Sequence, residues 1–208
     1  MTRNRRSLAS TALELSAIVG VAVGLAFLIQ AFLVKPYRIP SASMEPTLAI
    51  GQRILVNRVG ASSHDLHIGE IVVFHPPAKY AEGCQDSAEG QDGAGQPGGR
   101  ACAVAGVQPS SLTFVKRVVG LPGDRVSIRD GHVIRNGAKE RDAYIKPCGS
   151  EAICNFSGTI NIPSGEYFMM GYNRGDSDDS RFWGPIKGSW VVGQVFFTYW
   201  PPDRIGFM

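Results

Sequence analysis

The feature that most constrains the fold is an uncharged segment of twenty residues near the N-terminus, Leu15 to Val34. As an α-helix it would be roughly 30 Å long, which matches the hydrocarbon thickness of a bilayer. A core helix of a soluble domain is the weaker interpretation, because this segment is apolar on every face. The sequence therefore predicts a short N-terminal segment, 1–14, a transmembrane helix over 15–34 and a domain over 35–208.

The charges around this segment predict its orientation. Three arginines precede it, whereas Lys35 and Arg38 follow it. Positive residues are enriched on the cytoplasmic side of membrane proteins, so we expect a cytoplasmic N-terminus and a domain outside the cytoplasmic membrane. A cleaved signal peptide is the main alternative, because Ser41-Ala42-Ser43 has the small-x-small pattern of a cleavage site. The apolar region of a signal peptide, however, is usually only about 7–15 residues long.

The rest of the chain is typical of a mainly β fold. The protein contains 25 glycines and 13 prolines, and short runs of β-branched and aromatic residues lie between these turn residues. The runs cover 51–58, 69–74, 114–119, 126–129, 132–134, 167–171 and 191–200. No convincing helix follows the apolar segment, so we expect a membrane-anchored, all-β domain. Residues 78–111, rich in Gly, Gln, Asp and Ala, are predicted to form an irregular insertion.

The cysteines are consistent with a domain outside the cytoplasm. An even number of cysteines in an oxidising compartment indicates disulfides. Proximity in sequence favours two pairs, although four cysteines permit three pairings: Cys84 with Cys102, and Cys148 with Cys154.

Composition and motifs argue against several ligand classes. A net charge of +3, with no basic run interleaved with aromatics, does not indicate a nucleic-acid partner. The pair His64 and His67 has no third metal ligand in view. The segment 176–187 resembles a calcium loop only partly, because Arg181 and Lys187 stand where such a loop needs glycine and glutamate. We expect no metal and no cofactor.

The first candidate site is the segment Ile39–Leu48, which follows the apolar segment closely. Pro40 and Pro46 each fix a φ angle and remove a backbone donor, so a helix cannot continue through it. Ser41 and Ser43 lie between the two prolines, in backbone that should be extended or turning. Serine and proline are also common in ordinary turns, so this segment alone is a weak indication of function.

The second candidate feature is a lysine inside an apolar strand, Lys116 in the segment 113–124. Side chains alternate along a strand, so Lys116 and Arg117 point to opposite faces and Lys116 can be buried. The competing interpretation is a solvated lysine on an edge strand, where it would discourage aggregation.

These two features suggest a Ser-Lys dyad. The chain contains no G-x-S-x-G and no S-x-x-K pattern, and its four histidines have no clear aspartate partner. A lysine base must be neutral, which near pH 7 requires its pKa to fall from about 10.4, at a cost of roughly 4–5 kcal/mol. Burial among apolar side chains can supply that shift. A carboxylate paired with Lys116 would oppose it, so we expect the aspartates of 171–181 to pair with that segment's own arginines.

Four segments in this order resemble the bacterial type I signal peptidases: 40–48, 69–74, 116–124 and 170–181. That family has a membrane-anchored, mainly β domain with a Ser-Lys dyad. It removes signal peptides from exported proteins at the outer face of the cytoplasmic membrane. The resemblance therefore implies a serine endopeptidase that cuts after small-x-small residues, with precursor proteins and the lipid bilayer as partners.

The resemblance also implies a role for each matching residue. Ser43 would be the nucleophile and Lys116 the general base, and Ser41 would complete an oxyanion hole with the Ser43 N–H. Ser177 would hydrogen-bond to the Lys116 amine, and an ion pair would support the site, formed by Asp179 and Arg181. The substrate pockets would be formed by Ile39, Met44, Leu48, Val73, Phe114 and Val115. The Cys148 and Cys154 pair matches a disulfide of some relatives.

The chain departs from the family pattern at two positions. Tyr172 and Gly175 stand where relatives commonly have acids, so we expect Arg117 to lack its usual partner. Two alternatives remain for function. One is a specialised relative that processes a single partner, such as a conjugative pilin-maturation peptidase. The other is an inactive, membrane-tethered domain that binds exported chains.

Overall fold

The protein is described by a computed structural model over residues 3–60, 66–78, 99, 101–103, 106–148 and 152–208. Helix α1 covers Arg3–Phe32. Its stretch Ser10–Leu28 is long and apolar enough to cross a membrane, and none of that stretch is buried against the rest of the protein. This contradicts a core helix. Helix α1 ends two residues before the predicted span does, and Val34 already pairs with Asn57 in a strand.

The strands of the described chain confirm a mainly β domain. In chain order they are β1 (Val34–Arg38), β2 (Arg53–Asn57), β3 (Ile71–Phe74), β4 (Phe114–Gly120), β5 (Arg125–Arg129), β6 (His132–Arg135), β7 (Ala138–Lys139), β8 (Phe156–Asn161), β9 (Glu166–Met170), β10 (Ile186–Lys187), β11 (Val191–Trp200) and β12 (Gly206–Phe207). The helix α2 (Ser180–Trp183) is a single turn.

These strands form two antiparallel sheets. The larger has the order β1-β2-β11-β3-β4-β9-β10, with β12 paired to β11, and the smaller has the order β7-β6-β5-β8. Strands β3 and β4 lie in the interior of the larger sheet, and their register places Val72 opposite Lys116. Every residue of β3 is buried. The site is therefore built on a buried, interior part of the sheet.

Turn chemistry explains how the chain enters the smaller sheet. Asp130-Gly131 and Asn136-Gly137 both have positive φ angles at the two central residues, as a type I′ hairpin turn requires. Gly123 follows Pro122 with φ of +85°, and the N–H of Asp124 donates to the carbonyl of Leu121, as in a type II turn. These three turns join four consecutive strands, from β4 to β7.

One of the two predicted disulfides is present. Cys148 is bonded to Cys154, with a Cα–Cα distance of 5.8 Å. Cys102 is buried and its N–H donates to the carbonyl of Arg181 at 3.0 Å. Cys84 lies outside the described residues, as do His64 and most of the insertion predicted over 78–111, so the pairing of Cys84 with Cys102 stays a prediction.

Candidate active site

Ser43 lies in a short 3-10 turn, Ala42–Met44, between the two prolines of its segment. Its carbonyl accepts a hydrogen bond from the N–H of Asn173 at 3.1 Å, which ties the turn to the chain after β9. Met44 is buried, and its carbonyl accepts from the N–H of Leu48 at 2.9 Å. The serine is thus held on a loop that is fixed at both ends.

Lys116 reaches this serine from the middle of β4. Its Nζ is 2.7 Å from the Oγ of Ser43, which is hydrogen-bonding distance. Only 3% of Lys116 is exposed, and β4 pairs with β3 on one side and with β9 on the other. The interpretation as a solvated lysine on an edge strand is therefore wrong.

The surroundings of Lys116 favour the neutral amine. Burial lowers the pKa of Lys116 from 10.5 to about 8. The charges of Asp179 and Asp178 partly oppose this, and Arg181 adds to it. The fall is smaller than the one to about 7 that the sequence argument required. With a pKa of about 8, roughly one amine in ten is neutral at pH 7.

Asp179 is fully buried but is paired with Arg181. The Nε of Arg181 donates to Oδ1 at 2.8 Å and its Nη2 to Oδ2 at 3.0 Å, a two-pronged contact between buried groups. The N–H of Gly171 also donates to Oδ2, at 3.1 Å. Burial alone would raise the pKa of Asp179, but the charge and hydrogen bonds of Arg181, the charge of Lys116 and the Ser177 hydroxyl hold it below its usual range.

Ser177 makes a different contact from the predicted one. Its hydroxyl donates to Oδ2 of Asp179 at 2.7 Å, and no hydrogen bond joins it to Lys116. It therefore orients the carboxylate beside the lysine rather than the lysine itself. The physical reason is that an ionised, buried carboxylate is the stronger acceptor for a nearby hydroxyl.

The expected pairing among all the charges of this loop is also wrong. Only Asp179 and Arg181 form an ion pair there, within the described chain. Arg174 is fully buried and donates instead to backbone carbonyls, including that of Gly171 at 2.8 Å. Asp176 and Asp178 are exposed to solvent.

A cleft of about 370 Å³ opens beside Ser43 and Lys116. Its other lining residues are Tyr37, Arg38, Ile39, Pro40, Ser41, Met44, Thr113, Phe114, Val115, Asp176 and Asp178. Four of the six predicted pocket residues belong to this lining. The other two, Leu48 and Val73, do not, because both are fully buried in the core behind it. The sequence analysis missed several polar lining residues, although most are neighbours of the motif residues in the chain.

Arg117 has partners that the sequence analysis did not foresee. Its guanidinium carbon lies 4.3 Å from the ring centre of Tyr144, and its Nε donates to the hydroxyl of Tyr172. Tyr172 is fully buried. A hydroxyl and an aromatic ring therefore occupy the place where an acid was expected.

A family model described as "Signal peptidase, peptidase S26" matches residues 12–200. The chain belongs to this family. Peptidase S26 membership makes it a serine peptidase located at a membrane, in agreement with its N-terminal helix.

Similar proteins carry related names. "Probable signal peptidase I-2" of Synechocystis sp. is 33% identical over 201 residues, which is 96% of this chain and 78% of that protein. "Signal peptidase IB" of Staphylococcus aureus is 31% identical, over 91% of this chain and 90% of that protein. A solved signal peptidase I of Enterococcus faecalis V583 is 22% identical and covers 63% of this chain and 97% of its own, with a TM-score of 0.39.

Among the described residues, no three His, Cys, Asp or Glu side chains are grouped so that they could hold a metal ion. Two His–carboxylate pairs are present there instead. The Nδ1 of His67 lies 3.3 Å from Oε1 of Glu70, and the Nδ1 of His132 lies 2.9 Å from Oδ2 of Asp142. The expectation that the histidines lack an aspartate partner is therefore wrong for His132.

Proposed function

We propose that this protein removes N-terminal signal peptides from exported precursors, with Ser43 as nucleophile and Lys116 as general base. The observation that carries the proposal is the 2.7 Å approach of a buried amine to a serine hydroxyl in an open cleft. Within the described chain no carboxylate forms an ion pair with that amine. The family and the named relatives add the substrate class.

The geometry supports acyl transfer in two steps. Neutral Lys116 accepts the hydroxyl proton of Ser43 while Oγ attacks the scissile carbonyl carbon. As the tetrahedral intermediate collapses, Lys116 gives this proton to the leaving amine, and the mature protein departs. Water then attacks the acyl-enzyme with Lys116 again as base, which frees the signal peptide and restores the Ser43 hydroxyl.

An oxyanion hole would form from the Ser43 backbone N–H and the Ser41 hydroxyl. The Ser41 Oγ is 3.3 Å from the Ser43 Oγ, so the Ser41 hydroxyl lies beside the oxygen atom that attacks the substrate. Donors near 3 Å from the developing oxyanion stabilise it, and losing one commonly costs about 3–4 kcal/mol of transition-state stabilisation.

Cleavage after small-x-small residues is supported by the apolar walls of the cleft. Its apolar lining includes Ile39, Met44, Phe114 and Val115, and the cleft volume is about 370 Å³. Apolar walls of this kind favour small aliphatic side chains over charged ones.

We further propose that α1 spans the membrane with its N-terminus in the cytoplasm and residues 35–208 outside. The Cys148–Cys154 disulfide supports an oxidising location for the domain. Only residues 33–42 separate the end of α1 from Ser43, which keeps the site close to the lipid surface. This is where a membrane-inserted signal peptide ends.

The test is cleavage of a synthetic precursor carrying Ala-x-Ala by the full-length protein in detergent. Ser43→Ala and Lys116→Ala should each lower kcat/KM by at least about a thousandfold. Matched controls are Ser157→Ala and Lys139→Ala, two exposed positions on the smaller sheet. Turnover retained by Lys116→Ala would contradict the dyad.

A panel of precursors separates the general enzyme from its alternatives. Cleavage of many precursors indicates general signal-peptide processing, whereas cleavage of one indicates a specialised peptidase. Binding of precursors without any cleavage would indicate an inactive tethered domain.

A further inference from the structure

Two acidic side chains line the proposed substrate cleft without an ion-pair partner in the described chain. Asp176 and Asp178 both lie in the lining and both are exposed to solvent. The neighbouring Asp179 differs, because Arg181 neutralises it in the protein interior. The cleft therefore presents two carboxylates, neither of them held in an ion pair, to whatever enters it.

We propose that Asp176 and Asp178 select precursors by charge, favouring a basic residue and disfavouring an acidic one in the first two positions after the cut. This rests on the proposed function and adds a specificity that the small-x-small rule does not contain. The two residues would act on the substrate directly, through the negative charge that they present in the cleft.

The division of the cleft lining indicates which side of the cut these acids face. In the proposed function the apolar walls formed by Ile39, Met44, Phe114 and Val115 take the small side chains before the cut. Asp176 and Asp178 line the same cleft from a different segment. We therefore assign them to the residues after the cut, at the N-terminus of the mature protein.

A second segment of the cleft lining has a different character. Tyr37 to Ser41 contribute Ile39 to the apolar lining and also bring Arg38. The Arg38 guanidinium lies against Gly51, where an added Cβ would be 3.8 Å from its Nη2. With Lys116 neutral, Arg38 is the one fixed positive charge of the described lining, and it comes from a different segment than the two acids.

The expected size of the selection follows from the exposure of the carboxylates. Solvent-exposed charge pairs are weak, and two such acids acting together should change kcat/KM by about three- to tenfold between a lysine and a glutamate precursor. Because the effect is electrostatic, it should shrink as the salt concentration rises.

The experiment uses three precursors that are identical except for Lys, Gln or Glu at the second position after the cut. The full-length protein in detergent is assayed at one pH above 8, as wild type, Asp176→Asn, Asp178→Asn and the double variant. Asp203→Asn is the matched control, because Asp203 is exposed and does not line the cleft. We expect wild type to prefer Lys over Gln over Glu, and the Lys-to-Glu ratio to approach one in the double variant.

The ratio isolates the proposal, because any change in Lys116 basicity alters all three rates alike. Equal rates in wild type, or a ratio that survives in the double variant, would overturn charge selection. If the double variant does not fold, charge selection is tested with the two single variants and with a salt titration of wild type. A Lys-to-Glu ratio that does not change with salt would contradict charge selection. Cleavage of the Gln precursor reports the proposed function separately, and if wild type leaves it intact, both proposals fall.

Discussion

Lys116 and Arg181 are two buried cations near the same carboxylate, and the protein treats them in opposite ways. Lys116 is 3% exposed and Arg181 is fully buried. The Arg181 side chain holds Asp179 through two hydrogen bonds, whereas the Lys116 amine is hydrogen-bonded to the hydroxyl of Ser43. One cation is stabilised as an ion, and the other is left in conditions that favour losing its proton.

The difference shows how a fold keeps a base neutral beside acids. A buried carboxylate without a partner would stabilise the lysine ammonium and raise its pKa. Arg181 prevents this by occupying Asp179, so that desolvation remains the largest influence on Lys116. The neutral state of the Lys116 amine therefore depends on the ion pair between Asp179 and Arg181.

The largest expected effect comes from removing the partner of Asp179. Arg181→Met leaves a buried charge unpaired and should lower the free energy of unfolding by about 3–5 kcal/mol. It should also raise the pKa of Lys116, because the Asp179 charge is then uncompensated. Denaturant unfolding of the full chain in detergent measures the first effect and a pH–rate profile measures the second.

A double variant, Asp179→Leu with Arg181→Met, is the control, since it removes both charges. It should recover part of the lost stability. An unchanged unfolding free energy in Arg181→Met would mean that the pair is not a structural requirement.

The second effect is a gain in stability when the buried amine is removed. The folded pKa of Lys116 is about 8, against 10.5 when unfolded. Below pH 8 both states are protonated and the folded state bears the full cost of burying the charge, about 3 kcal/mol. Lys116→Met should therefore be more stable than wild type at pH 7 by about that amount.

This advantage depends on pH in a defined direction. Between pH 8 and 10.5 the unfolded state binds more protons than the folded one, so wild-type stability rises with pH and the advantage of Lys116→Met shrinks. Unfolding curves at pH 7 and pH 10 give the comparison. A constant difference at both pH values would argue against a desolvated lysine.

A third effect is the pH dependence of cleavage. Since neutral Lys116 is the active form, kcat/KM should rise about tenfold per pH unit up to a pKa of about 8 and then level off. Asp178 raises that pKa, so Asp178→Asn should move the rise to lower pH, while Asp203→Asn should not. Rates that stay constant from pH 9 to pH 5 would contradict a lysine base.

The smallest effect extends the comparison to a third cation, Arg117. Tyr172→Phe removes the hydroxyl that accepts from Arg117 and should cost about 1 kcal/mol of stability, while the contact with Tyr144 remains. Because Arg117 points away from the face of Lys116, the pH–rate profile should not move. A shifted profile in Tyr172→Phe would show that the two faces of β4 are coupled.

Local sequence signals predicted most of the larger sheet but missed two of the longer strands. The predicted run 191–200 coincides with β11, and 114–119 differs from β4 by one residue. Strand β1 was missed because it begins at Val34, inside the apolar segment, and contains a proline. Strand β8 was missed because its polar residues and Gly158 resemble a loop.

The candidate site shows the same limit. The sequence singled out Ser43 and Lys116, and the structure brings them to 2.7 Å. The sequence did not reveal that Ser177 would form a hydrogen bond to Asp179, or that Leu48 and Val73 would lie behind the cleft. Whether an apolar side chain faces a cleft or the core depends on which elements pack against it, and periodicity alone does not contain that information.

The sequence by itself determined the apolar N-terminal helix and the mainly β character of the domain, since these follow from local hydrophobicity and turn chemistry. It also supplied the serine and the lysine that a Ser-Lys dyad requires. Only the tertiary structure decided which of the acids pairs with an arginine and which face the cleft. Charges on one short loop can pair in several ways, and the choice among them depends on burial, which is a property of the packed chain.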